Sequence, residues 1–346
     1  MKVHWSYFGC EKGHEETVQR IWQQRQDLLH ARLAALEEDP AGLQITVSHQ
    51  DEAPHWIFQS ALHLGGRTLI TLAEGNECET ALEDLLSGLG GEVETDEETP
   101  ERVARRYRGL EGLNAFLEAS HRARRADQFL GFLTPLVASL RPYVRRELQI
   151  REIATGIRSV LDSPADVLDE VLVRAYEQFS KRRGRLPLNL WLRGLADQVL
   201  DEVSSGIVPE SLNDRIERPD DEPADSRRSS WVEWATDEET IERGELLPGL
   251  AATDTWDDLD VETKQTEFYR LLKGIPRQER QCLMLNAVEG FSTAEIADFQ
   301  DRSEAEVRSD IDTARRLLEQ QFRERRWLDD IEERLDPSGK RRPAPR

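Results

Sequence analysis

The sequence has little of what covalent, redox or membrane chemistry draws on. Its 346 residues include three cysteines and two methionines. Cys10, Cys78 and Cys282 lie far apart with no C-x-x-C pair, so neither a zinc site nor a disulfide framework is indicated, and a reducing cytoplasm fits. No run approaches the roughly 18 apolar residues of a membrane span, and MKVHWSYFG lacks the apolar core and cleavage site of a secretion signal. The expectation is a soluble, unexported, cytoplasmic chain without a membrane partner. A glycine-rich phosphate loop, a paired nucleophile and base, and an acidic cluster at metal spacing are all missing, so neither enzyme activity, cofactor nor metal is expected. Positive charge is scarce too: 46 Lys and Arg against 68 Asp and Glu leave a formal net charge of −22. Such a field repels phosphates and disfavours a chain that grips nucleic acid unaided.

What is present is length and pattern enough for a multidomain protein. Residues 1–110 alternate strand and helix signals. Val3, Trp5 and Tyr7 read as a strand, Val18 to Leu36 as an amphipathic helix, and Leu43, Ile45 and Val47 as a second strand. Trp56, Phe58, Leu62 and Leu64 follow as a third, Gly65-Gly66 as a hairpin turn, RTLITLA as a fourth strand, and Cys78 to about Leu86 as a helix. The order β-α-β-β-β-α predicts an α+β sandwich with two helices on one face of a small sheet. His49, His55 and His63 accompany the strands, but eight residues of strand separate the last two by about 26 Å, so they are read as rim histidines and not metal ligands.

Residues 111–128 read as a connecting basic helix. The nearby RVARRYR and HRARRAD are either anion-binding patches or solvated faces. Residues 129–203 are wholly helical in pattern. Ser163 caps a helix with Pro164 at its first position, and Leu168, Val171, Leu172, Ala175 and Phe179 share one face. Asp166, Asp169, Glu170, Arg174 and Glu177 mark the opposite, partner-facing surface. A further helix surrounds Trp191. Residues 204–260, acidic and poor in apolar residues apart from Trp231, Trp234 and Trp256, read as a flexible linker, and residues 329–346 as a tail.

Residues 261–328 carry the sharpest pattern. Cys282, Leu283, Leu285 and Val288 recur at helical spacing until Gly290. Ser292 or Thr293 can cap a short helix bearing Ile296, Ala297 and Phe299. Ser303, with Glu306 three positions on, caps a third helix whose Val307, Ile311, Ala314, Leu317 and Leu318 form a buried stripe. A short helix, a turn and a longer helix make a helix-turn-helix, which leaves Glu304, Arg308, Asp310, Asp312 and Arg315 to face a partner.

This run, GIPRQERQCLMLNAVEGFSTAEIADFQDRSEAEVRSDIDTARRLLEQ, resembles region 4 of the extracytoplasmic-function sigma factors, the bacterial proteins that bring RNA polymerase to promoters. The resemblance implies that the helix from Ser303 is the recognition helix, with Ser303, Glu304, Glu306, Arg308, Ser309 and Arg315 toward DNA. Where the family usually shows basic residues this chain has Asp310 and Asp312, and Gln300-Asp301-Arg302 replaces a glycine-containing turn. Those aspartates lie about 200° apart around the helix, so at least one carboxylate is expected to approach the phosphates.

SPADVLDEVLVRAYEQFSKRRGRLPLNLWLRGLADQVLDE is similar to region 2 of the same family. That implies docking of Asp166, Asp169, Glu170 and Arg174 on core polymerase, and places Asn189, Trp191 and Arg193 near the downstream promoter element. The order of residues 1–110 resembles the ribosome-hibernation promoting factors, which lay basic helices on small-subunit ribosomal RNA. Here the first helix offers Arg20, Arg25 and Arg32, and the second carries Glu79, Glu83 and Asp84. A dimerisation or protein-docking module stays open beside that reading. The leading expectation is a sigma-factor-like transcription regulator whose partners are core RNA polymerase, promoter DNA and an anti-sigma protein. The second is a ribosome-associated stress protein on the small ribosomal subunit, with the helical half as its interaction module.

Overall fold

A computed structural model describes residues 2–33, 40–50, 55–64, 67–93, 102, 109–155, 163–184, 186–204 and 268–334. The Gly65-Gly66 turn, most of RVARRYR, the acidic segment after Ser204 with its three tryptophans, and the last residues of the tail lie outside them.

Period-two alternation builds the N-terminal sheet. β1 (Val3–Phe8) leads through α1 (Lys12–Leu33) to β2 (Pro40–Gln50), which it pairs in parallel, with Trp5 opposite Ile45. β3 (His55–Leu64) and β4 (Arg67–Gly75) continue the sheet antiparallel in the order β1-β2-β3-β4, and α2 (Cys78–Val93) follows. Register divides the side chains. Leu43, Ile45 and Val47 with Phe58, Leu62 and Leu69 bury against Val18, Ile21, Trp22 and Leu29 of α1 and Leu82, Leu85 and Leu89 of α2.

The opposite face is covered as well, which the two-helix sandwich did not anticipate. It carries Thr46, Ser48, Gln59, Ile57, Ala61 and Ile70, all buried. Phe8 packs on Phe132, Gln128 Nε2 donates to Ser48 Oγ at 2.8 Å, and Ile57, Ala61 and Ile70 share a core with Phe116, Phe129 and Phe132. The interface is polar for a core: the Gln59 amide, fully buried, has no hydrogen-bond partner among the described residues.

Residues 111–128 are not one basic helix. α3 (Leu113–Arg122) ends at a turn where Arg124 takes φ 57°, and α4 (Ala126–Ala138) starts beyond it. Leu113, Phe116 and Leu117 turn inward and make this stretch part of the core. α5 (Arg141–Thr155), α6 (Pro164–Gln178) and α7 (Leu188–Ser204) complete the central domain, with Ser163 Oγ accepting the Ala165 N–H at the start of α6. A short helical segment at 268–273 then precedes α8 (Arg277–Ala287), α9 (Thr293–Gln300) and α10 (Glu304–Arg334). α10 runs well past Phe322 and into the stretch read as tail. Among the described residues no helix is long and apolar enough to cross a membrane.

Candidate nucleic-acid interface

Local backbone chemistry sets the three C-terminal helices. After α8 the Glu289 N–H donates to Met284 O at 3.2 Å and the Phe291 N–H to Leu285 O at 3.0 Å, a reversal that Gly290 permits at φ 72°. Ser292 and Glu295 form a reciprocal capping box on α9. Asp301, at φ 58°, supplies the left-handed residue between α9 and α10, a conformation that Asp tolerates better than most, so the turn closes without glycine. Ser303 and Glu306 then cap α10: Glu306 Oε2 accepts the Ser303 N–H at 2.9 Å and Ser303 Oγ accepts the Glu306 N–H at 3.3 Å. The Ser303 hydroxyl, which also donates to Glu306 Oε2 at 2.6 Å, and the Ser303 N–H hold the Glu306 carboxyl below the usual carboxylate range. Ser303 and Glu306 thus shape the helix start and are engaged there, although the resemblance placed both toward DNA.

Val307, Ile311, Ala314 and Leu318 bury one stripe of α10. Asp310 does not face outward as expected. Its Oδ2 accepts from Arg302 Nη1 at 2.6 Å and from Gln278 Nε2 at 3.2 Å, with the pair side chains only 18% and 21% exposed. The carboxylate is consumed in fastening α10 to its own turn and to α8. Arg308, Ser309, Asp312, Arg315, Arg316 and Glu319 stay exposed along the helix. Arg308 reaches back to Glu304 at 2.5 Å, and Glu304 also accepts the Thr293 hydroxyl at 2.6 Å, which together hold its carboxyl low.

Asn189, Trp191 and Arg193, placed near promoter DNA by the resemblance, are not on an open surface. Asn189 is 5% and Arg193 2% exposed, and Trp191 packs between the central and C-terminal cores. Arg193 Nη2 donates to Glu289 Oε2 at 2.5 Å while Arg146 Nη2 reaches Glu289 Oε1 at 3.5 Å. Both guanidinium groups sit near the Tyr143 ring, 4.8 and 5.3 Å from its centroid. The phenol donates to Asp197 Oδ1 at 2.5 Å, and Gln281 Nε2 donates to Oδ2 at 2.6 Å. Burial pushes the Asp197 carboxyl up to about 6 and the Tyr143 phenol well above its ordinary value. Glu147–Arg280 and Asp201–Arg277 pairs flank a water-sized cavity or its rim, so α5 and α7 meet α8 across a polar seam. Ile150, Leu186 and Leu190 of the central domain join the C-terminal apolar core beside it.

The face of α6 also departs from expectation. Glu170 is buried and pairs with Arg174 at 2.7 Å, and Arg174 forks onto Glu202 of α7 at 2.5 and 2.9 Å. The Glu202 bonds chiefly hold the Arg174 pKa above its ordinary value. These two residues staple α6 to α7, which leaves Asp166 and Asp169, both half-buried, as the members of the expected polymerase-facing set nearest the surface. On α1, Arg25 pairs with Glu79 and Glu83 of α2, so one of the three arginines expected toward ribosomal RNA is neutralised within the domain. His55 sits beside Glu74, His63 beside Thr68, and among the described residues no cluster of His, Cys, Asp and Glu could hold a metal ion.

Sequence reasoning missed Glu289, Arg146 and Asp197. Their partners lie 143, 96 and 84 residues away, beyond any local period, and a Val-Glu-Gly helix end gives no sign that its carboxylate is buried.

Residues 265–318 match the family model described as Sigma-70, region 4, which spans α8, α9 and the first half of α10. The chain thus carries a sigma-factor-like helix-turn-helix unit. No curated protein matches the chain.

Proposed function

We propose that the protein is a sigma-factor-like transcription regulator that joins core RNA polymerase and presents α10 to promoter DNA, with the N-terminal α+β unit as an accessory domain. One observation carries this reading: the matched stretch 265–318 coincides with a helix-turn-helix whose Asp310 is turned inward, which leaves Arg308, Arg315 and Arg316 exposed on the helix with one aspartate fewer among them. Arginine on such a face makes the bidentate contact to guanine worth about 1–3 kcal/mol of discrimination. A net charge of −22 makes unaided DNA binding weak, and a large polymerase partner offsets it by holding the helix against the groove. The central helices, similar to region 2, are the proposed polymerase contact, through Asp166 and Asp169.

Affinity purification of the tagged chain from its host tests this. Recovery of polymerase subunits is the expected result. Sedimentation with small ribosomal subunits and no polymerase would favour the ribosome-associated reading instead.

A further inference from the structure

The turn between α3 and α4 is built from residues that folding alone disfavours there. It closes with the Ala123, Arg124 and Arg125 N–H groups donating to the Ala119, His121 and Ser120 carbonyls at 2.9, 3.0 and 2.9 Å. Arg124, at φ 57°, holds the left-handed position after a helix that is usually left to glycine, because a Cβ is strained there. Arg125 is the N-cap of α4, where Ser, Thr, Asp or Asn would accept an orphan N–H. Its side chain makes no cap bond, and its charge sits at the positive end of the helix.

These arginines are also unused within the described chain. Arg122, Arg124 and Arg125 are exposed, and none pairs with a described carboxylate, their sequence neighbours Glu118 and Asp127 included. Arg25 and Arg308 show the alternative, pairing with Glu83 and Glu304. In a chain with 68 acidic residues, three such arginines within four positions make a local positive surface. Over a Debye length of about 8 Å at physiological salt, the nearest charges outweigh the net −22 of the whole. The platform beneath is fixed: the His121 imidazole donates to Tyr176 O at 2.9 Å and packs against Phe129 and Phe179.

The surface lacks what a protein partner needs. Protein interfaces centre on apolar and aromatic side chains, whereas here Phe129 and Phe179 are buried and residues 122–125 expose three arginines and one alanine. Guanidinium groups without an apolar centre fit phosphate oxygens, which take positive charge and forked donors.

We infer that the α3–α4 turn is a nucleic-acid contact in which Arg122, Arg124 and Arg125 hold backbone phosphates of DNA or RNA irrespective of sequence. The site lies outside the helix-turn-helix and outside α6 and α7, and it does not depend on the reading of α10. Phosphate contact accounts for arginine at two positions where glycine and serine fold better.

The test compares the full chain with a double variant, Arg124→Gly with Arg125→Ser, which installs the residues the backbone prefers. Anisotropy of a short labelled probe of mixed sequence, once as duplex DNA and once as single-stranded RNA, is followed from about 50 to about 200 mM salt. The variant is expected to melt no lower than wild type, yet to bind about thirtyfold more weakly at the low-salt end. That is about fivefold for each guanidinium withdrawn from a phosphate about 4 Å away. Its logarithmic salt dependence should become shallower by about 1.8 on the duplex or about 1.4 on the single strand, as for two lost contacts. A loss on one probe alone names that nucleic acid as the source of the phosphates. Equal affinity and slope for both proteins on both probes would make the arginines a solvated face and overturn the contact, as would no measurable binding by wild type at low salt. Poly-glutamate at equal charge should compete poorly; if it displaces the probe as well as unlabelled nucleic acid does, the surface takes acidic partners at large and the assignment fails. Should the double variant lose helix content, Arg122→Gln with Arg124→Gln carries the same expectations in its place.

Discussion

Asp310 and Asp312 are two residues apart on α10 and do different things, which gives a sharp prediction. Asp312 is exposed on the open face, whereas Asp310 is bonded to Arg302 and Gln278. Replacing Asp312 by Arg changes the local charge by two units. A unit charge about 4 Å from a phosphate in a water-like dielectric interacts by about 1 kcal/mol, so the swap is worth up to about 2 kcal/mol, near thirtyfold in affinity. One added phosphate contact also steepens the logarithmic salt dependence by about 0.9. Asp310→Arg is expected to act on the fold instead: it sets two arginines against each other and removes a charge-assisted hydrogen bond worth about 1.5–3 kcal/mol. Thermal melting and duplex anisotropy across a salt series, on the full chain, separate the two. Asp312→Arg should bind more tightly at unchanged melting temperature, and Asp310→Arg should melt earlier with no gain. If Asp310→Arg tightens binding as much as Asp312→Arg and melts like wild type, Asp310 faces the groove and the packing of α10 is wrong.

Four further outcomes follow from packing and charge. Gly131→Ala would put a Cβ 2.3 Å from the Phe8 ring, and its overpacking between β1 and α4 should lower stability by about 1–3 kcal/mol in chemical denaturation. Arg174→Met leaves Glu170 buried without its guanidinium and should lower stability by about 1–3 kcal/mol, while Asp166→Arg with Asp169→Arg should reduce polymerase binding at near-normal stability. The Asp197 carboxyl is raised to about 6 from 3.8, chiefly by burial, so proton uptake favours the folded chain. That contribution is complete below about 3.8 and is lost as pH rises through about 6. Thermal melting of the full chain should therefore show a contribution from this group that is larger near pH 5 than near pH 7, and Asp197→Asn should flatten that part of the change.

The elements were legible where short-range chemistry decides them. Period two in Val3, Trp5 and Tyr7, the Ser163-Pro164 start, and the Ser303–Glu306 capping box each act within a few residues, and each sits where the pattern put it. Orientation was not legible in the same way. Helical spacing puts Asp310 at the edge of the buried stripe, but only Arg302 and Gln278 decide which way it turns, and Gln278 is on another helix. Glu170, Asn189 and Arg193 read as surface residues because they are polar. The burial of Glu170 and Arg193 goes with Arg174, Glu202 and Glu289, and two of those lie on a neighbouring helix or in another domain. The second face of the sheet was missed for a related reason: Thr46, Ser48 and Gln59 look solvent-facing until α4 brings Gln128 to them. Asp301 shows the reverse, a departure from the family pattern that the backbone absorbs by adopting the left-handed region.

Whether the chain joins core RNA polymerase is decided most directly by sedimentation velocity of the labelled full-length protein mixed with purified core enzyme from the same host. The prediction is that the label moves at the sedimentation rate of the polymerase, in an equimolar complex that Asp166→Arg with Asp169→Arg weakens. Label that continues to sediment as the free chain at saturating polymerase would contradict the sigma-like function, whatever α10 does with DNA.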